Sequence, residues 1–294
     1  MDILPLKTKV IVNPDSNPRV LKRHLRPALR ILRNAGFELS ITFTKGPDQV
    51  EPVARKAADQ GFDVIIAVGG DGTTNESING IIGQNVVLGL LPIGGSNVLA
   101  RELGYPMDLC DAARLITRRS RRKIDLGCIN GRYFSMMASC GYDAYAISRT
   151  SLKVKRFLRR YAYLFAGIKD FLGYTPTEIE VVIDNNKAID KGTLVVIGNS
   201  HFYGGTHQMT PYAEIDDGFL DLCIYQGKTQ IGLVRFALAM FSRQHLNMKN
   251  VKYYRVRRIE MRSSKKTMVQ VDGDPLGELP MTAHVEPRIL DVFC

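Results

Sequence analysis

The sequence predicts a two-part chain of class α/β plus β: an N-terminal doubly wound parallel-sheet domain and a C-terminal, mainly antiparallel β-sandwich domain. Three observations carry this. From Lys9 to Pro92, short β-branched runs alternate with helical stretches that are apolar on one face, the pattern of a parallel sheet covered by helices. Val64 to Glu76 opens as a buried strand, turns through Gly69, Gly70 and Gly72, and then starts a helix. Beyond the basic run Arg118–Lys123 the texture changes to short strands separated by turn signals.

Taken in order, Val10, Ile11 and Val12 form a first strand that ends at Asn13-Pro14. A helix follows from about Arg19 to Asn34, with Leu21, Leu25, Ala28, Leu29 and Leu32 on one face and Gly36 as its stop. Glu38–Thr44 alternates through Leu39, Ile41 and Phe43 as a second strand, and a helix from about Asp48 to Gln60 ends at Gly61. After the third strand, Thr73 and Glu76 have the spacing of a capping box, and Ile78, Ile81 and Ile82 give the next helix its apolar face. Val86–Pro92 is a fourth strand, followed by Gly94-Gly95-Ser96-Asn97 and a helix that ends near Gly104. Such sheets bind ligands at the carboxyl ends of their strands, where Asn13, Thr44 and both glycine turns fall.

The second half reads as strands at Lys123–Ile129, Arg132–Ser139, Glu178–Ile183, Thr193–Gly198, Phe219–Ile224, Tyr254–Glu260 and Thr267–Val271. Two helices interrupt them. Residues 152–172 are amphipathic, with Lys153, Lys155, Arg156, Arg159 and Arg160 crowding the first half, a pattern compatible with an anionic bilayer or with a solvated basic face. A helix at about 230–246 reads as core. The expected domains are 1–123, the α/β part, and 124–280, the β-sandwich part; a return of 281–294 to the first domain is left open.

The chain of 294 residues is 45% hydrophobic and 23% charged, an ordinary globular composition. No apolar run approaches the ~20 residues of a membrane span, and Met1–Lys9 lacks the apolar segment of a secretory signal. The five cysteines form no C-x-x-C pair, which fits free thiols in a reducing cytosol. The net charge of +11 favours an anionic partner. With no Trp and no nucleic-acid module in the sequence, an anionic membrane is favoured over nucleic acid.

A glycine turn at a helix start aims bare N–H groups at one point and suits a phosphate. The turn at Gly69–Thr73 is not a dinucleotide fingerprint, because Asn75 stands at the third glycine position. Nor is there a Walker A loop. An Asp inside a phosphate loop points to metal-assisted chemistry; the alternative is a βα turn in which Asp71 bonds its own backbone.

Gly69-Gly70-Asp71-Gly72-Thr73 with Asn75-Glu76 resembles the nucleotide loop of the diacylglycerol kinase catalytic-domain family, which includes bacterial lipid kinases and the sphingosine and ceramide kinases. Three later stretches agree in order: Gly94–Asn97, Asn199–Leu222 and Val271-Asp272-Gly273-Asp274. The resemblance implies an NAD-kinase/phosphofructokinase-like first domain and an ATP- and Mg²⁺-dependent lipid kinase. It implies nucleotide contacts from Asn13, Thr44, Gly69, Gly70, Asp71, Gly72, Thr73, Thr74, Asn75, Gly94, Gly95, Ser96 and Asn97. Asp71 would act through Mg²⁺ on the phosphates and Asp272 would be the general base. Asp217, with the carbonyls of Glu214 and Phe219, would hold a structural Mg²⁺. Asp143, in Gly141-Tyr142-Asp143-Ala144, would face the lipid substrate. Where the family has Asn-Pro-x-Ser-Gly, Gly-Thr-x-Asn and Asp-Gly-Glu, this chain carries Asn17, Gly95 and Asp274 in place of Gly, Thr and Glu.

The implied setting is cytoplasmic, with peripheral contact to an anionic membrane and a lipid as partner; a homodimer is compatible. NAD kinases share the Gly-Gly-Asp-Gly loop, so NAD is the alternative acceptor, and a non-catalytic lipid-binding protein on this fold is a second alternative.

Overall fold

Val10, Ile11 and Val12, all fully buried, end the strand β1 (Leu6–Val12) that centres the first sheet. The structure, a computed structural model, describes residues 4–46, 48–149, 173–185, 188–203 and 207–294. The chain divides into two units, Met1–Ile124 with Arg288–Cys294, and Asp125–Pro287.

The first unit alternates β1, α1 (Pro18–Asn34), β2 (Phe37–Phe43), α2 (Val50–Asp59), β3 (Val64–Gly69), α3 (Asp71–Ile81), β4 (Val87–Pro92), α4 (Val98–Glu102) and α5 (Leu109–Thr117). Strand β5 (Arg121–Ile129) then leads into the second unit. The sheet runs β2-β1-β3-β4, all parallel, and near the chain's end Asp291 and Val292 pair with Val87 and Leu88 of β4. Every residue of β3 and β4 is buried, as strands covered on both faces require. In this order the chain steps from β1 to β2 on one side, then crosses back to β3 on the other. The carboxyl ends of β1 and β3 therefore flank the topological switch point, where open α/β sheets bind ligands.

The helix caps differ from the sequence expectation. Thr73 does not cap α3; the helix begins at Asp71 with Gly70 as N-cap. The Thr73 side chain instead fills the space under Gly69, where an added Cβ would lie 2.2 Å from Thr73 Oγ1. Glu76 reaches to the neighbouring helix, its carboxylate accepting from Val50 N–H at 2.9 Å at the start of α2. Tertiary packing, rather than local spacing, decides both partners.

The second unit continues with β6 (Arg132–Phe134), β7 (Met137–Gly141), α6 (Tyr142–Arg149), β8 (Ile179–Ile183), β9 (Ala188–Gly192), β10 (Leu194–Gly198), β11 (Phe202–Tyr203), β12 (His207–Gln208) and β13 (Leu220–Tyr225). After α7 (Gln230–Phe241) come β14 (Val251–Val256), β15 (Arg258–Ser263), β16 (Met268–Val271), β17 (Asp274–Glu278) and β18 (Met281–Phe293). One sheet runs β14-β13-β10-β7-β16-β17, antiparallel throughout. A second layer is built on β9, β8, β15 and the first half of β18. Their inner faces share one core, with Val181, Ile259 and Ala283 from one layer and Cys140, Ile197 and Leu222 from the other. This is a β-sandwich.

The expected strand Tyr254–Glu260 is two strands, because the chain changes sheets at Arg257. Asp184 Oδ1 holds that corner, accepting from the N–H groups of Arg257 and Arg258 at 2.9 Å each. Arg132–Ser139 likewise breaks into β6 and β7. The helix expected at 230–246 stops at Phe241, and its outer face is exposed rather than core. The basic helix expected at 152–172, and Gly204-Gly205, lie outside the described residues.

Candidate active site

In the first unit the sequence-predicted residues gather at the switch point. Asn13, at the end of β1, donates from Nδ2 to Thr73 Oγ1 at 3.2 Å, and its own N–H donates to Val68 O at 3.0 Å. This ties the ends of β1 and β3. The two glycine turns abut: a Cβ built on Gly94 would lie 2.5 Å from Gly70 Cα, and Ile93 N–H donates to Gly69 O at 2.9 Å. Only glycine permits that approach.

Asp71 locks the turns together. Its Oδ2 accepts from Asn97 N–H at 3.0 Å and its Oδ1 from Val98 N–H at 2.6 Å. These are the opening N–H groups of α4, so Asp71 caps that helix from the other turn. Asn97, at φ 48, uses its side chain on its own turn, accepting from Gly94 N–H at 2.9 Å and donating to Gly94 O at 3.0 Å. Burial raises the Asp71 carboxyl above its ordinary range, against the opposing pull of the Val98 and Asn97 N–H groups.

The remaining residues divide into side chains turned inward and backbone left at the turn. Thr44 is buried, its N–H and Oγ1 both donating to Val12 O. Thr73 and Asn75 are buried, so their side chains pack inside the unit. Thr74 N–H closes the first helical bond, to Gly70 O at 3.0 Å. Gly72 and Thr73 stand in the first turn of α3, where main-chain N–H groups have no carbonyl within the helix. Gly95 is exposed, and Ser96 O accepts from Arg101 Nε at 2.8 Å.

In the second unit Asp272 and Gly273, at φ 47 and φ 88, form a two-residue hairpin turn between β16 and β17. The Asp272 side chain is buried and held by main chain. Its Oδ2 accepts from Ser135 N–H at 3.0 Å, and its Oδ1 from Met136 and Met137 N–H at 3.1 and 2.9 Å. Asp143, on α6, is enclosed by Ser139 Oγ, Tyr203 OH and Gln270 Nε2. Burial raises its carboxyl above the ordinary range, although all three bonds oppose that.

Sequence reasoning missed Gln270. It joins the two acids: its Oε1 accepts from Gly273 N–H at 2.8 Å, while its Nε2 donates to Asp143 at 3.2 Å and to Ser139 Oγ at 2.8 Å. The available signal was a lone amide in an apolar strand, two positions before Asp272. Ser139 and Tyr203 gave no comparable signal.

Residues Glu214–Phe219 form a tight turn. Asp217 Oδ1 accepts from Phe219 N–H at 2.9 Å, and its other oxygen pairs with Arg255. Gly218 N–H donates to Asp125 Oδ2 at 2.5 Å. Asp221, buried nearby, keeps an Oδ2 with no hydrogen-bond partner. Burial raises its carboxyl, and the charges of Asp217 and Glu214 push the same way. A chain of bonds links this turn to Asp272. Asn199 Nδ2 donates to Asp125 O at 2.9 Å and to Ser135 O at 3.0 Å, beside the N–H that holds Asp272. Among the described residues no group of three or more His, Cys, Asp or Glu side chains could hold a metal; a site here would need main-chain oxygens.

Comparisons with known proteins bear on this geometry. Residues 7–129 match the diacylglycerol kinase catalytic domain, and residues 136–294 match the YegS C-terminal NAD kinase β-sandwich-like domain. A diacylglycerol kinase of Bacillus subtilis (strain 168) is 31% identical over 277 residues, covering 93% of this chain and 91% of that protein. A diacylglycerol kinase of Staphylococcus aureus (strain JH9) is 30% identical over 290 residues, covering 98% and 92%. A crystal structure from Bacillus anthracis str. Sterne superposes at a TM-score of 0.82, with 22% identity, 100% of this chain and 96% of that chain covered. A crystal structure of a diacylglycerol kinase from the same strain gives 0.73 at 21% identity, with 98% and 96% covered. At those identities the structures speak for the fold alone.

Proposed function

This chain belongs to the diacylglycerol kinase family, and from that premise we propose that it transfers the γ-phosphoryl group of ATP, with Mg²⁺, to a lipid hydroxyl, that of diacylglycerol or a similar alcohol. The observation that carries the reading is the pair of abutting glycine turns at the switch point, locked by Asp71 beside the opening N–H groups of α3. In this reading residues 1–123 bind nucleotide and 124–280 bind the lipid.

Gly69–Thr73 and Gly94–Asn97 offer the phosphates main chain rather than side chains. Asp71 would act on those phosphates through a cation that they carry. Asp272 accepts the proton of the attacking alcohol. Its carboxylate is fixed by three main-chain N–H donors, so it needs no reorientation before that step. Asp143 positions the lipid alcohol or headgroup, and Gln270 holds its network in register with the Asp272 turn.

A hard divalent ion at the Glu214–Phe219 turn would draw on main-chain carbonyls and on the Asp217 carboxylate now paired with Arg255, with the unpartnered oxygen of buried Asp221 close by. When bound, such an ion would supply positive charge that stiffens the turn. Asp125 and Asn199 carry that order to the segment holding Asp272. Because a lipid alcohol resides in a bilayer, the protein works in the cytoplasm in peripheral contact with an anionic membrane.

The test is acceptor choice. With γ-labelled ATP and Mg²⁺, the label should enter diacylglycerol, or another lipid of a total extract identified by mass spectrometry. Label entering NAD and no lipid would overturn the reading.

A further inference from the structure

Helix α7, Gln230 to Phe241, is apolar nearly all round, with Arg235 as its single charge. A helix of that composition is normally buried on every side. Here Leu233, Phe236 and Met240 face inward, the Phe236 ring lying 4.7 Å from that of Tyr225 and 5.9 Å from that of His245. The opposite face is exposed: Ile231 is 69% exposed, Leu238 63%, Val234 45% and Phe241, its ring edge-on to that of His207, 44%. The spacing of these four places them along one stripe.

The chain around this stripe carries one sign of charge. From Leu222 to Ile259 there is no Asp or Glu, while Lys228, Arg235, Arg243, Lys249, Lys252, Arg255, Arg257 and Arg258 are all exposed. Arg235 lies in the helix and Arg243 just beyond it, and Lys249 and Lys252 lie on the segment that follows. Those four form no ion pair with a described acid.

We infer that the outer face of α7 is a membrane-docking surface that sets Ile231, Val234, Leu238 and Phe241 into the headgroup–acyl boundary of an anionic bilayer, with the surrounding cations on the lipid phosphates. An apolar stripe on a segment whose only charges are Lys and Arg suits a helix that lies in that interface, and Arg235, Arg243, Lys249 and Lys252 are its cations unpaired among the described residues. A second copy of the chain fits less well. It would bring like-charged rims together, and a helix about 18 Å long cannot by itself cover the ~800 Å² per partner of a stable dimer. The inference deepens the lipid-kinase reading and rests on it for its purpose, but not for its test.

The test uses the full chain and two kinds of vesicle, phosphatidylcholine alone and phosphatidylcholine with phosphatidylglycerol. The unmodified protein should sediment with the mixed vesicles and far less with the neutral ones. Ile231→Ser with Leu238→Ser should lower that partition on the order of tenfold or more, with an unchanged thermal transition, because neither side chain is in the core. Arg235→Gln with Arg243→Gln should weaken binding to the anionic vesicles alone. Activity on a short-chain, water-soluble lipid alcohol should survive the apolar pair while activity on vesicle-borne lipid falls. Vesicle binding unaffected by the apolar pair, or a dimer in solution that this pair splits, would overturn the inference. An unmodified protein that binds vesicles through this face yet phosphorylates no lipid would leave the docking surface standing and remove the kinase reading.

Discussion

Asp71 and Val98 are joined by a 2.6 Å hydrogen bond, the Val98 N–H donating to Asp71 Oδ1. With the bond from Asn97 to Oδ2, it makes one acid of the first glycine turn the cap of the helix after the second. Asp71→Ala leaves both donors without their acceptor. It should cost about 1–3 kcal/mol in denaturant unfolding without nucleotide, along with weaker ATP binding. Unchanged stability in the absence of nucleotide would mean that Asp71 serves the phosphates alone.

The glycines separate packing from ligand approach. Gly94→Ala places a Cβ 2.5 Å from Gly70 Cα, and backbone on backbone cannot yield without moving the turns. It should destabilise the protein and weaken ATP binding together. Gly72→Ala meets nothing within 4 Å and sits in a helix, so stability should hold or rise by about 0.4–1 kcal/mol. ATP affinity, measured by calorimetry, should nevertheless fall, because the methyl group occupies the side from which a phosphate approaches bare backbone. Undiminished affinity in Gly72→Ala would remove this turn from the nucleotide site.

Asp143 supplies a pH test. Burial raises its carboxyl above the ordinary value of 3.8. A group raised on folding adds stability that is complete below its unfolded pKa and is lost as pH climbs through the folded value. The protein should therefore lose this contribution as pH rises above the ordinary carboxylate range. Asp143→Asn, which cannot titrate, should flatten that part of the curve in unfolding measured across pH. An identical slope in the variant would contradict the assignment.

Much of the fold was legible because its signals are local and strong. Val64–Val68 could hardly be anything but a buried strand, and the glycines after it force a turn. The 2-1-3-4 strand order was not legible, since pairing depends on chain that is distant in sequence. The caps misled for a related reason. Thr73 and Glu76 have capping-box spacing, but Thr73 is taken up under Gly69 and Glu76 by Val50 N–H, neither of which local spacing can register. The motifs identified Asp71, Asp143 and Asp272 without their partners. Gln270, which joins Asp143 to the Asp272 turn, belongs to no motif, and Asn199 opens one of the matching stretches without any sign there of its bonds to Asp125 and Ser135; both roles became visible only through their hydrogen bonds. Composition put α7 in the core, because an apolar helix looks the same whether its outer face meets protein or lipid.

Divalent ion removal should act on the second unit. Mg²⁺ should raise the melting temperature in a concentration-dependent way, as any ligand selective for the native state does. Asp217→Ala should abolish that rise. It should also lower kcat more than it changes ATP affinity, through the Asp125–Asn199–Ser135 chain to Asp272. A melting temperature indifferent to Mg²⁺ would set the ion site aside.

The most direct measurement is the rate of phosphate transfer from ATP to diacylglycerol in Asp272→Asn, read beside the folded fraction. Both Asp272 oxygens accept main-chain N–H groups, so the amide turns one donor against another, and some loss of stability is expected. Under conditions where the variant is folded and binds ATP, transfer should fall by ~10²–10⁴-fold. Folded Asp272→Asn retaining most of the unmodified protein's rate would contradict the account.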